Sequence, residues 1–210
     1  MYTLFGANGS GSAAIEIALV SCGVSVRRVA ACSWEQGSER EELARHNPLM
    51  QVPTLLMPDA SVMTEAAAIL TYLGVEFPAS GLLATDPGER SQQLRGLVYI
   101  AANCYPSIGV IDYPERWLPA GDPAQLEALV NGAIVRLHQQ WDTFSDIFDA
   151  TPAWRPESPG ALEILAWVVT HWSGAREHLR MSRPTFHAAL VTMDRHPLIH
   201  TIGQAHFPAC

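Results

Sequence analysis

The sequence predicts a small α/β unit followed by an all-helical one, and two patterns support this prediction. Over the first 76 residues, short apolar runs alternate with helical repeats in the order β-α-β-α-β-β-α. From Glu89 onward, the apolar residues recur at helical spacing throughout. We therefore expect an α/β domain over residues 1–76, a linker over residues 77–88 and an all-helical domain over residues 89–210.

The α/β unit is expected to begin with a strand at residues 2–5. After a glycine-rich stretch, a helix is expected over residues 13–22, and Gly23 suits the C′ position that ends it. A second strand is expected over residues 24–30. A loop then leads to a helix that starts at Ser38 and ends at Asn47, because the residue before a proline disfavours the α region.

A hairpin and a third helix complete this unit. Residues 52–63 contain two apolar runs around a turn at residues 58–61, which is typical of a β-hairpin. Thr64 stands where an N-cap residue would, and Glu65 would then lie in the first helical turn.

The all-helical part shows several periodic segments. We expect one helix, marked by Leu94, Leu97, Val98, Ala101 and Ala102, to end near Pro106. A long apolar stripe over residues 126–148 marks another helix, and the very apolar segment 161–172 is expected at the centre of a bundle. Two later prolines, Pro184 and Pro197, stand where helices can begin.

Composition and charge disfavour several classes of protein. The chain has 210 residues, 48% of them hydrophobic, and can bury a sizeable core. A formal net charge of −8 and a pI near 5.4 disfavour a nucleic-acid partner. No apolar run approaches the roughly 18 residues of a membrane span and no signal peptide is visible, so we expect a cytoplasmic protein with no membrane partner. The cysteines and histidines lack zinc-ligand spacing, and we predict no metal site.

The glycine-rich turn is the first candidate site. Residues 9–14 fit the dinucleotide pattern G-x-G-x-x-A, but no acidic residue ends the second strand and too few residues follow for a doubly wound sheet. Alternatively, the hydroxyls of Ser10 and Ser12 stabilise an anion such as a thiolate at the N-terminus of the helix. A serine at this place can also simply cap the helix.

The start of the hairpin is the second candidate site. Pro53 is unusual at the head of an apolar strand because it cannot donate to a sheet ladder, and a cis Val52-Pro53 peptide is one solution. A proline-led edge with its backbone turned outward can pair with an extended peptide. Glu65 can bind an ammonium group, and the amides of Glu65 and Ala66 can hold a carboxylate. Glu65 can equally be an acid that favours the helix dipole.

Several segments combine into a more specific pattern. They are the strand at 2–5, the turn and helix at 10–19, Asn-Pro-Leu-Met-Gln-Val-Pro-Thr-Leu at 47–55, Thr-Glu-Ala-Ala-Ala-Ile at 64–69, and Arg-Pro at 183–184. The pairing of Asn-Pro-x-x-Gln-Val-Pro with Thr-Glu-x-x-Ala-Ile is specific. With the helical half, these segments cover nearly the whole chain, which resembles the bacterial-type members of the cytosolic glutathione S-transferase superfamily.

This resemblance implies a thioredoxin-like N-terminal domain, an all-helical C-terminal domain and usually a homodimer. It implies that Gln51, Val52 and Pro53 contact glutathione, with the Val52 backbone paired to its cysteine across a cis Pro53. By the same resemblance, Glu65 takes the γ-glutamyl amine, and the amides of Glu65 and Ala66 take its carboxylate.

The resemblance also implies where the chemistry takes place. A hydroxyl in the first turn, Ser10 with Ser12 second, would stabilise the glutathione thiolate. An apolar electrophile would lie between the domains, and the residues expected near it are Trp34, Asn103, Tyr105 and Tyr113.

Three positions depart from the family pattern. Ala66 stands where the family often has serine, so one hydroxyl to the ligand carboxylate is missing. Gly11 stands near where one bacterial class carries a catalytic cysteine. The helix that usually begins with a Ser-x-x-Asp capping box begins here near Gly160 and keeps an acid, Glu163, without the capping hydroxyl.

We therefore expect a glutathione transferase, with glutathione as co-substrate and no metal, that stabilises the thiolate and conjugates it to a small apolar electrophile. Two alternatives stay open at this point. One is a non-catalytic binding or interaction protein on the same fold, which the missing hydroxyl at Ala66 suggests. The other is a nicotinamide oxidoreductase, which the glycine-rich turn suggests.

Overall fold

The N-terminal part folds into one mixed sheet with four strands, described here in a computed structural model that covers residues 1–32 and 39–208. The strand order is β2-β1-β3-β4, with β1 and β2 parallel and the other neighbours antiparallel. The elements are β1 (Tyr2–Gly6), α1 (Ser12–Ser21), β2 (Val26–Ala30), α2 (Arg40–His46), β3 (Thr54–Leu56), β4 (Val62–Met63) and α3 (Ala66–Glu76). The predicted order of elements and the thioredoxin-like architecture are confirmed.

Side chains alternate across the sheet, as the strand period requires. Leu4 points into the main core with α1 and α3, whereas Phe5 packs with Val29 and Leu43 in a smaller cluster on the opposite face. Gly23, with φ of 66°, ends α1 in the left-handed conformation that was predicted for it. The second strand starts two residues later than expected, and the predicted helix start at Ser38 lies outside the described residues.

The C-terminal part consists of helices and connecting loops, with no strand among its described residues. Its helices are α4 (Pro87–Tyr99), α5 (Tyr105–Asp112), α6 (Pro114–Trp117), α7 (Pro123–Phe148), α8 (Ala161–Val169), α9 (Ala175–Ser182), α10 (Pro184–Asp194) and α11 (Pro197–His206). The helix starts predicted at Pro184 and Pro197 are confirmed, and every residue of α8 is buried, as expected for a central helix.

The predicted linker is shorter and more buried than its composition suggested. Asp86 caps α4, with its Oδ1 accepting from the Glu89 amide at 2.8 Å, so the helix starts within the predicted linker. Leu82 and Leu83 are buried in the main core. That core is continuous from β1 to α11, because α1 packs against α3, α8 and α11. The division into domains at residues 76 and 88 stays a prediction.

The expected helix end at Pro106 is wrong. A π-helical turn over Ile100–Cys104 joins α4 to α5, and the Tyr105 amide donates to the Ile100 carbonyl five residues back. This wider turn changes the hydrogen-bond register just before the proline, which has no amide to donate, so the helical path continues. Val98, which the simple period assigned to the core, is 62% exposed.

The continuous run Pro87–Asp112 is, within the described residues, one helical stretch long and apolar enough to cross a membrane by length and composition alone. The sequence pattern did not predict it, because we expected the helix to end at Pro106. Leu97, Ile100 and Cys104 on this run are buried in the main core, and the core helix of a globular protein meets the same criterion.

The start of α8 depends on one buried carboxylate. Glu163 is fully buried, and its two oxygens accept from the amides of Arg155 at 2.7 Å and Gly160 at 2.8 Å. A side chain at Gly160 would place its Cβ 2.6 Å from the carbonyl oxygen of Leu82. A capping hydroxyl is therefore excluded at position 160 by steric overlap. Glu163 alone makes its hydrogen bond of the capping box, to the Gly160 amide.

Replacing Glu163 by glutamine should lower the free energy of unfolding by about 1–3 kcal/mol, because the amide nitrogen of glutamine cannot accept from a buried backbone N–H. Chemical denaturation measures this loss. The exposed Glu157, changed to glutamine in the same way, is the matched control and should leave stability unchanged. Equal stability of the two variants would contradict the assigned role of Glu163.

Candidate functional site

The turn before α1 holds its two serine hydroxyls in an internal network. The Ser10 hydroxyl donates to the Ala7 carbonyl at 2.7 Å and lies 2.8 Å from the Ser12 hydroxyl oxygen. The Ser12 hydroxyl oxygen also accepts from the Ala7 amide at 3.2 Å. Both serines are buried, and the N-cap residue of α1 is Gly11, without a side-chain cap. Neither serine is therefore a simple N-cap.

Two aromatic residues from the helical part close over this turn. Trp172 donates its indole N–H to the Gly9 carbonyl at 2.9 Å, and its ring packs edge-on against Tyr105 at 5.9 Å between centroids. A Cβ placed on Gly11 would lie 2.8 Å from the Tyr105 hydroxyl oxygen and 3.5 Å from Cδ of Pro53. The first candidate site, the second candidate site and the helical part therefore meet at Gly11.

Hydrogen bonds from buried side chains stabilise the loop that carries Val52 and Pro53. The peptide between them is cis, as predicted. The buried Asn47 donates its side-chain amide to the Gln51 carbonyl at 3.1 Å and to the Thr54 hydroxyl at 2.9 Å, and that hydroxyl donates to Gln51 at 2.8 Å. Asn47 and Thr54 thus hold the Gln51 carbonyl, one residue before Val52. Both residues stand within the motif at residues 47–55, but the sequence did not indicate this role.

Glu65 lies at the N-cap of α3 and not in its first turn, where we expected it. We expected Thr64 to be the N-cap of α3 and Glu65 to lie in the first turn, but Glu65 is itself the N-cap, with φ of 65° and ψ of 107°. A glutamate at positive φ costs of order 1–3 kcal/mol, and such residues cluster at binding sites. This conformation leaves the Glu65 side chain exposed beside the N-terminus of α3, next to the buried Ala66.

The four residues expected near an electrophile are not equivalent. Trp34 lies outside the described residues. Asn103 donates to the Tyr99 carbonyl at 3.0 Å, and Tyr113 lies at the end of α5 beneath the Arg116 guanidinium. Among the described residues, only Tyr105 of this group reaches the turn at Ser10–Ser12.

A buried hydrogen bond between Glu16 and His206 joins α1 to α11 close to the turn. Burial alone would raise the pKa of Glu16, but hydrogen bonds with His206 and Arg28 outweigh it, so the pKa of this carboxyl is lowered. His206 belongs to α11 and Glu16 to α1, so the pair links the two parts of the chain. Because the folded pKa is the lower one, its contribution to stability is present above the unfolded pKa of about 4.3 and is lost as pH falls through the folded value.

Among the described residues, Cys104 is not available as a thiolate and no metal cluster is formed. Burial raises the pKa of the Cys104 thiol to about 12, so this cysteine stays protonated at neutral pH. Within residues 1–32 and 39–208, no group of three His, Cys, Asp or Glu side chains is arranged to hold a metal ion. Two of the three strand pairs in the sheet are antiparallel, unlike the open, mostly parallel sheet of the dinucleotide-binding fold.

The chain is similar to known proteins in sequence and in fold. Residues 1–74 match the family model described as the glutathione S-transferase N-terminal domain. A curated relative, the uncharacterised GST-like protein YncG of Escherichia coli K12, is 38% identical over 130 residues, which is 60% of this chain. The chain spans 62% of the length of that relative.

Solved structures extend the likeness to the whole chain. A glutathione transferase homologue from Sulfitobacter, with bound glutathione, superposes with a TM-score of 0.80 at 20% identity, covering 97% of both chains. The glutathione S-transferase of Xylella fastidiosa gives a TM-score of 0.81 at 20% identity, covering 98% of both. Such identities show the fold alone. The resemblance to the glutathione S-transferase superfamily is thus confirmed, in sequence over residues 1–74 and in fold over the whole chain.

Proposed function

We propose that the protein binds glutathione, stabilises its thiolate and transfers it to a small apolar electrophile. The observation that carries this proposal is the convergence of three separate segments at Gly11: the turn before α1, the loop at Val52 and Pro53, and Tyr105 of α5. The relative from Sulfitobacter was solved with glutathione bound, which supports the same ligand here.

Glutathione is a tripeptide, and we assign a group of the protein to each of its polar parts. In this proposal the backbone of Val52, two residues before β3, pairs with the central cysteine. The exposed carboxylate of Glu65 attracts the γ-glutamyl ammonium, and the amides at the start of α3 attract its carboxylate. The sulfur would then face the turn at Ser10–Ser12, where the N-terminus of α1 favours an anion.

The chemical step needs the thiolate, because the thiol is a weak nucleophile and is mostly protonated at neutral pH. When the anion is stabilised, the thiol proton leaves to solvent and the sulfur lone pair forms a bond to the electrophilic carbon. In a substitution, a leaving anion departs with the electron pair of the broken bond. The thiolate would be stabilised by Ser10 and Ser12 and by the N-terminus of α1, in a site that Tyr105 and Trp172 cover.

Calorimetry with glutathione tests the binding directly. We expect saturable binding in the millimolar range or tighter. Glu65→Gln should weaken it about tenfold or more, because the glutathione ammonium group loses its negatively charged partner. Glu76→Gln removes the same charge from the exposed far end of α3 and is the matched control. Absence of binding at millimolar glutathione in the wild type would contradict the proposal.

Replacing Ser10 by alanine should reduce kcat/KM with a generic aryl halide about tenfold or more, while the Kd for glutathione changes little, because the hydroxyl acts on the charged sulfur. Steady-state kinetics with parallel calorimetry separates the two effects. Ser21→Ala removes a hydroxyl bonded to the Ile17 carbonyl at the other end of α1 and is the control. Unchanged activity of Ser10→Ala would move the role to Ser12 or to backbone amides.

Ala66 favours a second candidate function, a non-catalytic protein that binds glutathione or another ligand. The methyl group of Ala66 is buried at the start of α3, where a hydroxyl could otherwise contact a ligand carboxylate. Fold alone does not imply activity. Turnover of an aryl halide or a peroxide with glutathione would exclude this candidate, whereas binding without turnover would favour it.

We also infer a homodimer, as the resemblance implies. We expect the exposed side chains of Val62 on β4, Val75 on α3 and Val98 on α4 to line its interface. Light scattering should give twice the 22.9 kDa chain mass, and Val98→Glu should shift it toward one chain. Val20→Glu on α1 is the control. A single-chain mass of the wild type at all concentrations would contradict the dimer.

A cytoplasmic location also stays a prediction, and it would suit an enzyme whose co-substrate is a reduced thiol. Fractionation of cells that express the protein is the test, and recovery outside the cytoplasm would contradict it.

A further inference from the structure

The corner between α8 and α9, residues 170–174, has a strained backbone. Ser173 and Gly174 both adopt the left-handed conformation, with φ of 54° and 73°. Glycine adopts it freely, but a serine at positive φ costs free energy and keeps this conformation only where the surrounding structure imposes it. Directly before this pair stands Trp172, whose indole N–H donates to the Gly9 carbonyl at 2.9 Å. The strain therefore lies beside a side chain that contacts the candidate site.

A histidine of α7 holds this corner. The Nε2 atom of His138 lies 3.1 Å from the Ser173 carbonyl oxygen and 3.9 Å from where a Cβ on Gly174 would stand. A carbonyl oxygen only accepts hydrogen bonds, so this nitrogen carries a proton and donates it. The His138 ring stacks on the ring of His178 in α9, with 4.4 Å between centroids and 14° between planes. This stack orients the ring with Nε2 toward the corner.

The attachment of α9 to α7 has its own contacts, separate from His138. The Nε2 atom of His178 lies 3.0 Å from Oδ1 of Asp142 on α7. The Ser182 hydroxyl, in the last residue of α9, donates to the same oxygen at 2.6 Å. The hydrogen bond of His138, in contrast, goes to the backbone before α9 begins. Loss of that bond should therefore release the corner and leave the two helices packed together.

Trp172 connects the corner to the turn before α1. Gly9, whose carbonyl accepts from Trp172, lies inside a β-turn that the Ser10 amide closes by donating to the Ala7 carbonyl at 3.2 Å. The Ser10 hydroxyl donates to the same carbonyl at 2.7 Å. Because Gly9 is part of this turn, the contact with Trp172 fixes the backbone from which the serine hydroxyls project.

We infer that His138 is a positioning residue of the candidate site. Its hydrogen bond to Ser173 holds the corner where Trp172 meets Gly9, and this contact in turn fixes the turn before α1. The effect of His138 on Trp172 is a property of the folded chain alone. Its effect on the glutathione thiolate rests on the proposed function.

Exchange of the Trp172 indole proton with solvent, followed by NMR, tests the inference without any ligand. The variant Trp172→Phe identifies the signal. His138→Phe keeps a ring that can stack on His178 but lacks the donor, and it should make this proton exchange about tenfold faster, because the corner opens more easily. His138→Gln places an amide N–H near the same point and should keep the exchange slow. The indole protons of the buried Trp141 and Trp154 are internal standards and should exchange at wild-type rates.

His200→Phe is the matched control for this experiment. The exposed His200 ring lies 3.2 Å from the Asp194 carbonyl oxygen at the start of α11, so it also loses a ring-to-carbonyl hydrogen bond and should leave Trp172 unaffected. Unchanged Trp172 exchange in His138→Phe would overturn the inference. Equal acceleration of all buried indole protons would overturn it too, because it indicates a general loss of stability. Fast exchange in His138→Gln would assign the effect to the ring stack and overturn the role of the hydrogen bond.

Steady-state kinetics tests the link to the chemistry. With an aryl halide, His138→Phe should lower kcat about tenfold and change the KM for glutathione less than about twofold, because the turn acts on the charged sulfur. His138→Gln should restore kcat. Full activity of His138→Phe with fast Trp172 exchange would overturn the effect on the thiolate. If the wild type binds no glutathione, the proposed function and this effect are overturned, and the exchange experiment still decides whether His138 positions Trp172.

Discussion

The close contact between the helical part and the first turn of α1 is the constraint on which the candidate site depends. Trp172 holds the Gly9 carbonyl at 2.9 Å, and the Tyr105 hydroxyl rests on Gly11, so side chains from one part fix the backbone of the other. Only glycine at position 11 allows this approach. The result is a helix N-terminus that faces an aromatic wall, where a charge interacts more strongly with amides and hydroxyls than it does in water.

Much of the fold follows from local chemistry, and this part was predictable. The order of strands and helices in the first part came from apolar periods of two and 3.6 residues, and Gly23, Pro184 and Pro197 mark helix ends through their backbone preferences. The hairpin start was predictable for the same reason. Pro53 cannot continue a sheet ladder, and the residues that hold its loop lie within seven positions of one another.

The features that sequence reasoning missed depend on packing or on register. The π-helical turn over Ile100–Cys104 changes the side-chain register of the helical run, which a simple period does not capture. Val98 is exposed although that period assigned it to the core. Glu65 takes a positive φ that its residue type disfavours, which only surrounding structure can impose. Trp172 and Gly9 are 163 positions apart, and no local pattern indicates that they meet. The unpartnered hydroxyl of Tyr105 likewise becomes visible only in the folded chain.

A crystal structure of the protein with glutathione would test the central claim most directly, because it locates the sulfur relative to both parts of the chain. We expect the cysteine of glutathione to pair with the Val52 backbone and its sulfur to lie at the turn Ser10–Ser12. Glutathione bound elsewhere, or bound with its sulfur directed away from Gly11, would contradict the account.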